Sequence, residues 1–473
     1  MSKYHFIGIC GKAMGTLAGM LKDQGHSVTG SDEGFYEPML GYLTTHNITF
    51  YTGHKAENIP KDVDYIVIGK HAKLTPESNP EVAYAFNTPE KVVSFPQIIN
   101  QLTKNKDTII CAGSFGKSSI TTLTSFVLEH AGKNPSYFIG AVPIDLADSG
   151  KISDSNIFVL EGDEYPSANF DNSAKFLHYN PQNVILTSCE HDHINVYPTV
   201  ESYLLPYKEL LKLIPDGGYL VYAKDGMHIK SILETTNCNK ISYGLNDESN
   251  YYPVNISYGP VASFDLYKDG EFIIKLETIL LGEHNILNIV GVSAMLLEKG
   301  LVSPIQIQNA IKVCHGVKGR LDKKVSDSDI PIIESYGSSY AKAVADISAV
   351  KLHYPTKNII CIFEPHTFGW RNRGNLSWYD DVFNGVSNVY IFNPPTHGAT
   401  THDQLTLDEI LNQVKNSGVN AVGVASKNDA YELLKKDLNN DSLIILMTSG
   451  ALDGLPDDLP KDLPNLLGSR TSK

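Results

Sequence analysis

The chain lacks three features that would narrow its class at once: paired cysteines, long apolar runs and an excess of basic residues. Its six cysteines are scattered, with no Cys-x-x-Cys pair, so we expect small buried residues rather than disulfides or metal ligands. No stretch reaches the roughly 18 apolar residues of a membrane helix, and the first residues lack the apolar region of a signal peptide. The net charge of −14 argues against a nucleic-acid surface. We therefore expect a cytoplasmic protein that binds neither membrane nor nucleic acid.

Strand and helix patterns alternate along most of the 473 residues, which predicts an α/β fold with parallel sheets. The length suggests several domains, three as a first estimate. The segment after Leu452 is rich in proline and aspartate and is predicted to be frayed. The main predicted strands are Tyr4–Ile9, Ser27–Gly30, Tyr65–Ile68, Thr108–Ala112, Ile157–Glu161, Asn183–Thr187, Tyr219–Tyr222, Pro331–Glu334, Asn358–Phe363, Asn388–Phe392 and Ser442–Met447.

A glycine-rich loop follows the apolar run that ends at Ala112. It opens a predicted helix, so its free N–H groups and the positive helix end would point at an anion. Gly113 and Gly116 permit a tight backbone path, Lys117 would reach the β- and γ-phosphates, and Ser118 would bind Mg²⁺. This G-x-x-G-K-S loop, shorter than the full eight-residue pattern, predicts a nucleoside triphosphate site. Ser114, Phe115 and Ser119 complete the predicted ATP-binding set around it.

A second glycine turn lies near the N-terminus, after the first predicted strand. Gly8, Gly11 and Gly15 have the spacing G-x-x-G-x-x-x-G, and Asp32 closes the next strand about twenty residues later. This spacing differs from the G-x-G-x-x-G of NAD-binding proteins, so NAD is disfavoured. The alternative is a turn needed only for packing. We favour a nucleotide diphosphate held at the helix start, with Gly8, Gly11, Met14, Ser31 and Asp32 as its predicted contacts.

Acidic and histidine residues follow two later predicted strands. Glu161, Asp163 and Glu164 come at the end of one strand, and the run Glu190–His193 follows the next. Open α/β sheets place ligands at the carboxyl ends of their strands. Carboxylates beside a phosphate loop suit one or two Mg²⁺ ions, although the histidine spacing alone also permits zinc.

Two asparagines, Asn285 and Asn288, are spaced one helical turn apart after His284. Their side chains can donate to and accept from an adenine ring. From the residues alone, we favour the interpretation that this segment caps the start of a helix.

Taken together, these segments resemble the Mur ligases of peptidoglycan synthesis, and within that family they are most similar to the murein-peptide ligases. The similarity is dense through residue 321 and thinner afterwards. It is carried by His5–Gly11 with Met14-Gly15, Val28–Asp32, Glu129–Gly132, Ile139-Gly140 with Val142-Pro143, Glu161–Tyr165, Phe170-Asp171, Lys175-Phe176, His178-Tyr179, Asp192-His193 and Gly316–Leu321.

The resemblance implies three domains: 1–104 for a UDP-sugar, 105–319 for ATP and 320–473 for the incoming amine. The N- and C-terminal domains would be Rossmann-like parallel sheets around a central P-loop ATPase domain. The implied reaction uses ATP and Mg²⁺ to join the carboxylate of UDP-N-acetylmuramic acid to an amine through an acyl phosphate. For the murein-peptide ligases, that amine belongs to a recycled tripeptide.

By position, the resemblance also assigns roles to individual residues. Lys117 would contact the γ-phosphate, Arg320 would reach the phosphates, and Ser118 and Glu161 would bind one Mg²⁺. His193 would help to bind a second Mg²⁺. His284, Asn285 and Asn288 would line the ATP site, which replaces the N-cap reading given above.

The chain departs from the family where relatives carry an Asp-Asp-aromatic-x-His-His-Pro run. Here the segment reads Glu334–Ser339, and Ser335 stands where an aspartate on the ATP ribose is expected. Further on, Phe363–Phe368 resembles the muramate–alanine ligases as much as the tripeptide ligases. Arg371 and Arg373 are predicted to hold the carboxylate of the amine substrate, unless they form a solvated basic loop.

Three other functions are compatible with parts of the sequence. The altered third domain permits an L-alanine-adding ligase, or a non-catalytic relative that binds UDP-muramyl ligands. An unrelated P-loop kinase would explain the phosphate loop but not the N-terminal glycine turn.

Overall fold

Apolar strands and covering helices alternate through the computed structural model, which describes residues 1–325, 329–396 and 403–468. The chain forms two compact units. The mixed α/β class with mainly parallel sheets confirms the predicted fold class. Within those three ranges, no helix is long and apolar enough to cross a membrane. One unit comprises Met1–Asn255, Phe264–Leu276 and Leu287–Cys314, and the other comprises Ile256–Ser263, Glu277–Ile286 and His315–Lys473.

The first sheet lies at the N-terminus and is parallel throughout, with the order β3-β2-β1-β4-β5. Strand β1 is central, and its successive residues Phe6 and Ile7, whose side chains point to opposite faces, are both fully buried, so both faces of the sheet are covered there. The elements are β1 Lys3–Ile7, α1 Lys12–Asp23, β2 Ser27–Asp32, α2 Met39–Thr45, β3 Thr49–Thr52, β4 Tyr65–Ile68, α3 Pro80–Ala85, β5 Val92–Ser94 and α4 Phe95–Thr103.

The second sheet is the largest, with the order β17-β16-β15-β14-β13-β12-β6-β9-β7-β8. Its parallel centre places β6 between β12 and β9, so the loops after these three strands meet at one edge. The elements are β6 Asp107–Ala112, α5 Lys117–His130, β7 Ser136–Phe138, β8 Gly150–Lys151, β9 Ile157–Gly162, β10 Pro166–Ala168, β11 Asp171–Ala174, β12 Asn183–Leu186, α6 Val200–Lys212, β13 Tyr219–Ala223, β14 Asn239–Tyr243, β15 Tyr251–Ser257, β16 Ala262–Lys268, β17 Glu271–Thr278, α7 Glu283–Glu298 and α8 Pro304–Ile311.

The third sheet has the order β18-β19-β23-β20-β21-β22 among the described residues. Strand β18 is antiparallel to β19, and the other pairs are parallel. The elements are β18 Arg320–Val325, β19 Ile332–Ser335, α9 Tyr340–His353, β20 Asn358–Phe363, α10 Phe368–Arg371, β21 Asn388–Phe392, α11 Leu407–Asn416, β22 Asn420–Val424, α12 Lys427–Asp437, β23 Ser442–Met447 and α13 Leu455–Gly468.

The segment after Leu452 corrects the sequence prediction, because it is helical rather than frayed through residue 468. Leucines spaced three or four residues apart share one helix face, and that face packs into the core of the third sheet. Burial of these side chains outweighs the cost of two prolines inside the helix. The buried leucines are Leu455, Leu459, Leu463 and Leu466. The domain boundaries at residues 104 and 319 remain predictions.

Candidate active site

The phosphate loop joins β6 to α5, as the sequence predicts. Gly113 has φ +134° and Gly116 has φ +79°, both in the region that favours glycine. A Cβ atom on Gly113 would lie 2.0 Å from the Thr187 hydroxyl, so no other residue fits there without a shift of the chain. The first N–H groups of α5 have no partner within the helix and open onto the loop. This geometry suits a phosphate group.

Side chains and backbone around the loop fix its path. The Ser114 hydroxyl donates to the carbonyl of Glu190 at 2.6 Å, and the Thr187 hydroxyl donates to the carbonyl of Phe115, also at 2.6 Å. The Phe115 ring is 41% exposed. The carboxamide of Asn288, on α7, lies 3.3 Å from the Cβ position of Gly116. The loop is therefore held from β12 and its following segment, while the Phe115 ring stays open to solvent.

Lys117, the first residue of α5, forms an ion pair with Glu164. Its Nζ atom lies 2.8 Å and 3.1 Å from the two carboxylate oxygens, and the Glu164 side chain is fully buried. Tyr203 donates to one of these oxygens at 3.3 Å, and His193 Nε2 also lies 3.3 Å from that oxygen. Glu164 thus positions Lys117 beside the phosphate loop. Sequence reasoning placed Glu164 in the acidic cluster but assigned it no separate role.

Ser118 and Glu161 form a second pair at the same edge. The Ser118 hydroxyl donates to Glu161 Oε1 at 2.9 Å, and the Gly140 N–H donates to Oε2 at 2.7 Å. A hydroxyl and a carboxylate in contact beside a phosphate loop fit Mg²⁺, which prefers oxygen ligands and completes its shell with water and phosphate. These two side chains would hold the ion.

The predicted second metal ligand, His193, contacts Glu164 rather than Glu161. The hydrogen bond to Glu164 raises the pKa of His193 and favours the imidazolium form, which cannot bind a metal. Its metal role stays a prediction that requires this contact to break. Among the described residues there is no group of three or more His, Cys, Asp or Glu arranged to hold a metal ion. The alternative of a zinc site, based on the histidine spacing, therefore gains no support.

The N-terminal glycine turn is shaped by the end of β2. The carbonyl of Ser31 accepts the N–H groups of Gly8 and Ile9 at 2.9 and 3.1 Å, and the Asp32 carboxylate accepts the N–H of Cys10 at 2.8 Å. Gly8 has φ +86°. These amides are therefore committed to the protein, which leaves the first turn of α1, after Gly11, as the part that can meet an anion. Met14, in that first turn, is buried.

A hairpin after Glu164 links the two glycine loops within the first unit. Between β10 and β11, the Asn169 side chain donates to the carbonyls of His71 and Leu74 at 2.7 and 2.8 Å. Leu74 in turn covers the glycine turn, because a Cβ atom on Gly8 would lie 2.9 Å from its side chain. The acidic segment after β9 and the N-terminal turn are thus connected by direct contacts.

Arg320, predicted to reach the phosphates, is exposed at the start of β18 in the second unit. It lies opposite Ser335, whose buried hydroxyl donates to Asp346 at 2.5 Å. Glu334, considered above as a substitute for the missing aspartate, pairs with Lys324 at 2.9 Å. The carboxylate that lies beside Ser335 is therefore that of Asp346, on α9.

Asp346 gives a stability prediction with a definite pH dependence. Burial raises its pKa to about 6, against the opposing effects of the Ser335 hydrogen bond and of Arg320. Because the folded-state pKa exceeds the unfolded one, stability is lost as the pH rises from about 4 to about 6. We expect Asp346→Asn to stabilise the protein at pH 8 by about 1–3 kcal/mol and to have little effect near pH 4.

Urea unfolding of both proteins at the two pH values measures this difference, and Ser335→Ala serves as a comparison that removes only the hydrogen bond. An Asp346→Asn protein less stable than the wild type at pH 8 would contradict the assignment.

The other predicted ligands of the second unit lie as follows. His284 is exposed in the first turn of α7, and the Asn285 side chain donates to the carbonyl of Leu281 at 2.8 Å. Arg371 is buried and donates to the carbonyl of Pro395 at 2.7 Å, and Arg373 pairs with two carboxylates of its own chain. Both guanidinium groups thus have protein partners here, and their substrate role stays a prediction.

Comparison with known proteins agrees with this geometry. The family model described as "Mur ligase family, catalytic domain" matches residues 3–107. The model described as "Mur ligase middle domain" matches residues 111–296. The UDP-N-acetylmuramate–L-alanine ligase of Clostridium beijerinckii is 27% identical over 452 residues, which cover 95% of each chain.

Two solved structures are also similar. The UDP-N-acetylmuramate:L-alanyl-gamma-D-glutamyl-meso-diaminopimelate ligase from Neisseria meningitides is 27% identical with a TM-score of 0.62, covering 67% of this chain and 99% of that one. The UDP-N-acetylmuramate-alanine ligase from Thermotoga maritima has a TM-score of 0.76 at 19% identity, covering 98% and 100%.

The chain belongs to the Mur ligase family through its N-terminal and middle domains, and it has the three-domain α/β architecture of that family. It is therefore an enzyme, an ATP-dependent ligase that forms amide bonds.

Proposed function

We propose that this ligase joins the carboxylate of UDP-N-acetylmuramic acid to the amine of a short peptide, in peptidoglycan synthesis or recycling. The observation that carries the proposal is the pairing of Lys117 with Glu164 and of Ser118 with Glu161 at the mouth of the phosphate loop. A cation and a metal-binding pair lie at adjacent strand ends there. They suit the transfer of a γ-phosphoryl group to a carboxylate, a reaction governed by positioning and charge neutralisation.

The UDP-sugar is assigned to the N-terminal glycine turn. The start of α1 offers backbone N–H groups to a diphosphate, and the end of β2 holds the turn in place. The contact from Asn169 to the loop over this turn joins it to the acidic segment after β9. A muramate carboxylate at one loop and ATP at the other would then share one rigidly connected region.

The chemistry proceeds in two steps. The muramate carboxylate attacks the γ-phosphorus of ATP, which gives an acyl phosphate and ADP. The uncharged amine then attacks the acyl carbon, and phosphate leaves from the tetrahedral intermediate with the former carboxylate oxygen. Lys117 balances charge on the transferred group, with Arg320 proposed to assist. Ser118 and Glu161 would hold Mg²⁺, which when bound would supply further charge neutralisation.

The amine is proposed to be a peptide, which is supported by the sequence resemblance to the murein-peptide ligases and by the 27% identity to the solved tripeptide ligase over 67% of this chain. L-alanine is the second candidate, favoured by the similarity to L-alanine ligases over 95% of the chain. The third domain decides between them. There Arg371 and Arg373 remain the proposed holders of the amine substrate's carboxylate, although each has a protein partner.

Phosphate release from ATP with UDP-N-acetylmuramic acid tests the choice of amine, with either L-alanine or the L-alanyl-γ-D-glutamyl-diaminopimelate tripeptide. We expect a higher kcat/KM with the tripeptide. A preference for L-alanine would move the enzyme to the second candidate. Binding of the UDP-sugar without release in the presence of either amine would contradict the ligase function itself.

A further inference from the structure

A fully buried carboxylate, Glu81, lies beneath the N-terminal glycine turn. It occupies the first turn of α3, and its Oε1 atom lies 2.8 Å from His5 Nε2. Its Oε2 atom accepts the Ser31 hydroxyl at 2.5 Å and lies 3.0 Å from His54 Nδ1. A buried charge is costly unless hydrogen bonds satisfy it, and here three donors do so. One carboxylate thus ties together β1, β2 and the segment after β3.

The ionisation of Glu81 follows from these contacts. Burial raises its pKa, but the hydrogen bonds from His5, His54 and Ser31 outweigh that effect, so its pKa lies below the ordinary value. An ionised carboxylate can only accept hydrogen bonds. His5 Nε2 and His54 Nδ1 must therefore each carry the proton in these contacts. The Thr29 hydroxyl, 2.8 Å from His5 Nδ1, completes the partners of the first ring.

The contacts of Ser31 extend the network to the glycine turn. Its hydroxyl donates to Glu81, while its carbonyl accepts the N–H groups of Gly8 and Ile9. Fixing the Ser31 side chain therefore fixes the strand end that shapes the turn. Loss of the Glu81 contact would loosen both together.

His54 lies at the carboxyl edge of the same sheet. It follows β3, whose last residue, Thr52, pairs with Asp32, and the N–H of Gly53 donates to the Asp32 carbonyl at 2.8 Å. The His54 side chain is 8% exposed, and Nδ1 makes its contacts with Glu81 and Ser31. The Nε2 atom takes no part in these contacts. Ligands of open α/β sheets bind at this edge.

We propose that Glu81 is a positioning residue of the UDP-sugar site, which fixes Ser31 beneath the glycine turn and holds His54 with its proton on Nδ1, so that Nε2 serves the bound uridine nucleotide. The inference rests on the proposed function, because that function assigns the UDP-sugar to this turn. Glu81 does not touch the ligand and acts through its two neighbours.

Calorimetric binding of UDP to the full chain tests the proposal, with a non-hydrolysable ATP analogue as the second ligand. In Glu81→Gln, the side-chain NH₂ group replaces one acceptor oxygen and faces a donor of the protein, so at least one of the three hydrogen bonds is lost. We expect the Kd for UDP to rise about tenfold or more, as for loss of a buried hydrogen bond to a charged group. The Kd for the ATP analogue should stay within about twofold. Glu57→Gln, an exposed change nearby, is the matched control and should alter neither value.

A second variant covers the case in which Glu81→Gln fails to fold. His54→Asn places an amide donor near the position of Nδ1 and removes Nε2, so the contact with Glu81 can persist. We expect a similar loss of UDP affinity with an unchanged thermal midpoint. Selective ¹⁵N labelling of histidine gives an independent signature, since His54 should show a protonated Nδ1 and an unprotonated Nε2 in the wild type.

The outcomes separate the two proposals. Variants that bind UDP as tightly as the wild type, or a His54 side chain protonated on Nε2 instead of Nδ1 in the wild type, would overturn the role of Glu81 and leave the ligase function intact. A wild-type protein that does not bind UDP would overturn the UDP-sugar site and, with it, this inference.

Discussion

Replacing Lys117 by methionine is expected to lower amine-dependent phosphate release by about 10²- to 10³-fold, as for removal of a transition-state charge stabiliser. The ammonium group stands at the start of α5, where the loop N–H groups converge on a phosphate. Methionine keeps much of the aliphatic length and removes only the charge. The loss should appear mainly in kcat, because charge on the transferred phosphoryl group changes most in the transition state.

Two measurements separate this effect from unfolding. Lys117→Met removes one of the two cationic partners of Glu164, although His193 and Tyr203 still contact that carboxylate, so the thermal midpoint must be recorded beside the rate. Lys133→Met, an exposed change just after the same helix, is the matched control and should leave both values unchanged. Undiminished turnover in a folded Lys117→Met protein would remove the phosphate-loop assignment.

The substitution Glu161→Gln is expected to lower turnover by about a hundredfold or more, through weaker Mg²⁺ binding. The amide of glutamine keeps one acceptor oxygen for the Ser118 hydroxyl or the Gly140 N–H but loses the negative charge. A neutral ligand binds Mg²⁺ less strongly than a carboxylate does. Raising the Mg²⁺ concentration should therefore recover part of the activity.

Activity measured across a range of Mg²⁺ concentrations tests this expectation. Glu209→Gln, an exposed change on α6 in the same unit, should keep the wild-type dependence on Mg²⁺. If Glu161→Gln showed the wild-type Mg²⁺ dependence, Glu161 would not be a metal ligand.

Much of the fold follows from short-range pattern. Strands such as Tyr65–Ile68 and Asn358–Phe363 have the predicted bounds, because uninterrupted apolar runs between polar turns leave few alternatives. The phosphate loop lies between the predicted strand and helix for the same reason. Strands β3 and β22 were not predicted, since β3 is a four-residue edge strand that is mostly exposed and β22 holds small residues and a glycine.

Other features depend on contacts distant in sequence. The leucines of α13 have a helical spacing, but the prolines and aspartates between them favour the prediction of an irregular segment. The helix forms because these leucines pack into the core of the third sheet. The contact between Ser335 and Asp346, eleven residues later, could likewise not be predicted from the sequence, because it depends on how α9 packs beside β19. The role of Glu164 needed the geometry of Lys117, because three acids within four residues look alike in sequence.

The buried hydrogen-bond network around Glu81 also depends on contacts distant in sequence and could not be predicted from it. His5, Ser31, His54 and Glu81 are spread over 76 residues, and no spacing rule connects them. The parallel sheet brings them together, because adjacent strands align residues from separate segments. The sequence indicated the glycine turn, and the structure indicates what lies beneath it.

Transfer of ¹⁸O from the substrate carboxylate to phosphate tests the central claim most directly. With UDP-N-acetylmuramic acid labelled at both carboxylate oxygens, one complete reaction with ATP and the amine should give inorganic phosphate that carries one ¹⁸O and an amide that retains the other. The acyl phosphate requires this result, since the bridging oxygen leaves with phosphorus. Phosphate without label, or release that needs neither the UDP-sugar nor the amine, would contradict carboxylate activation at this loop.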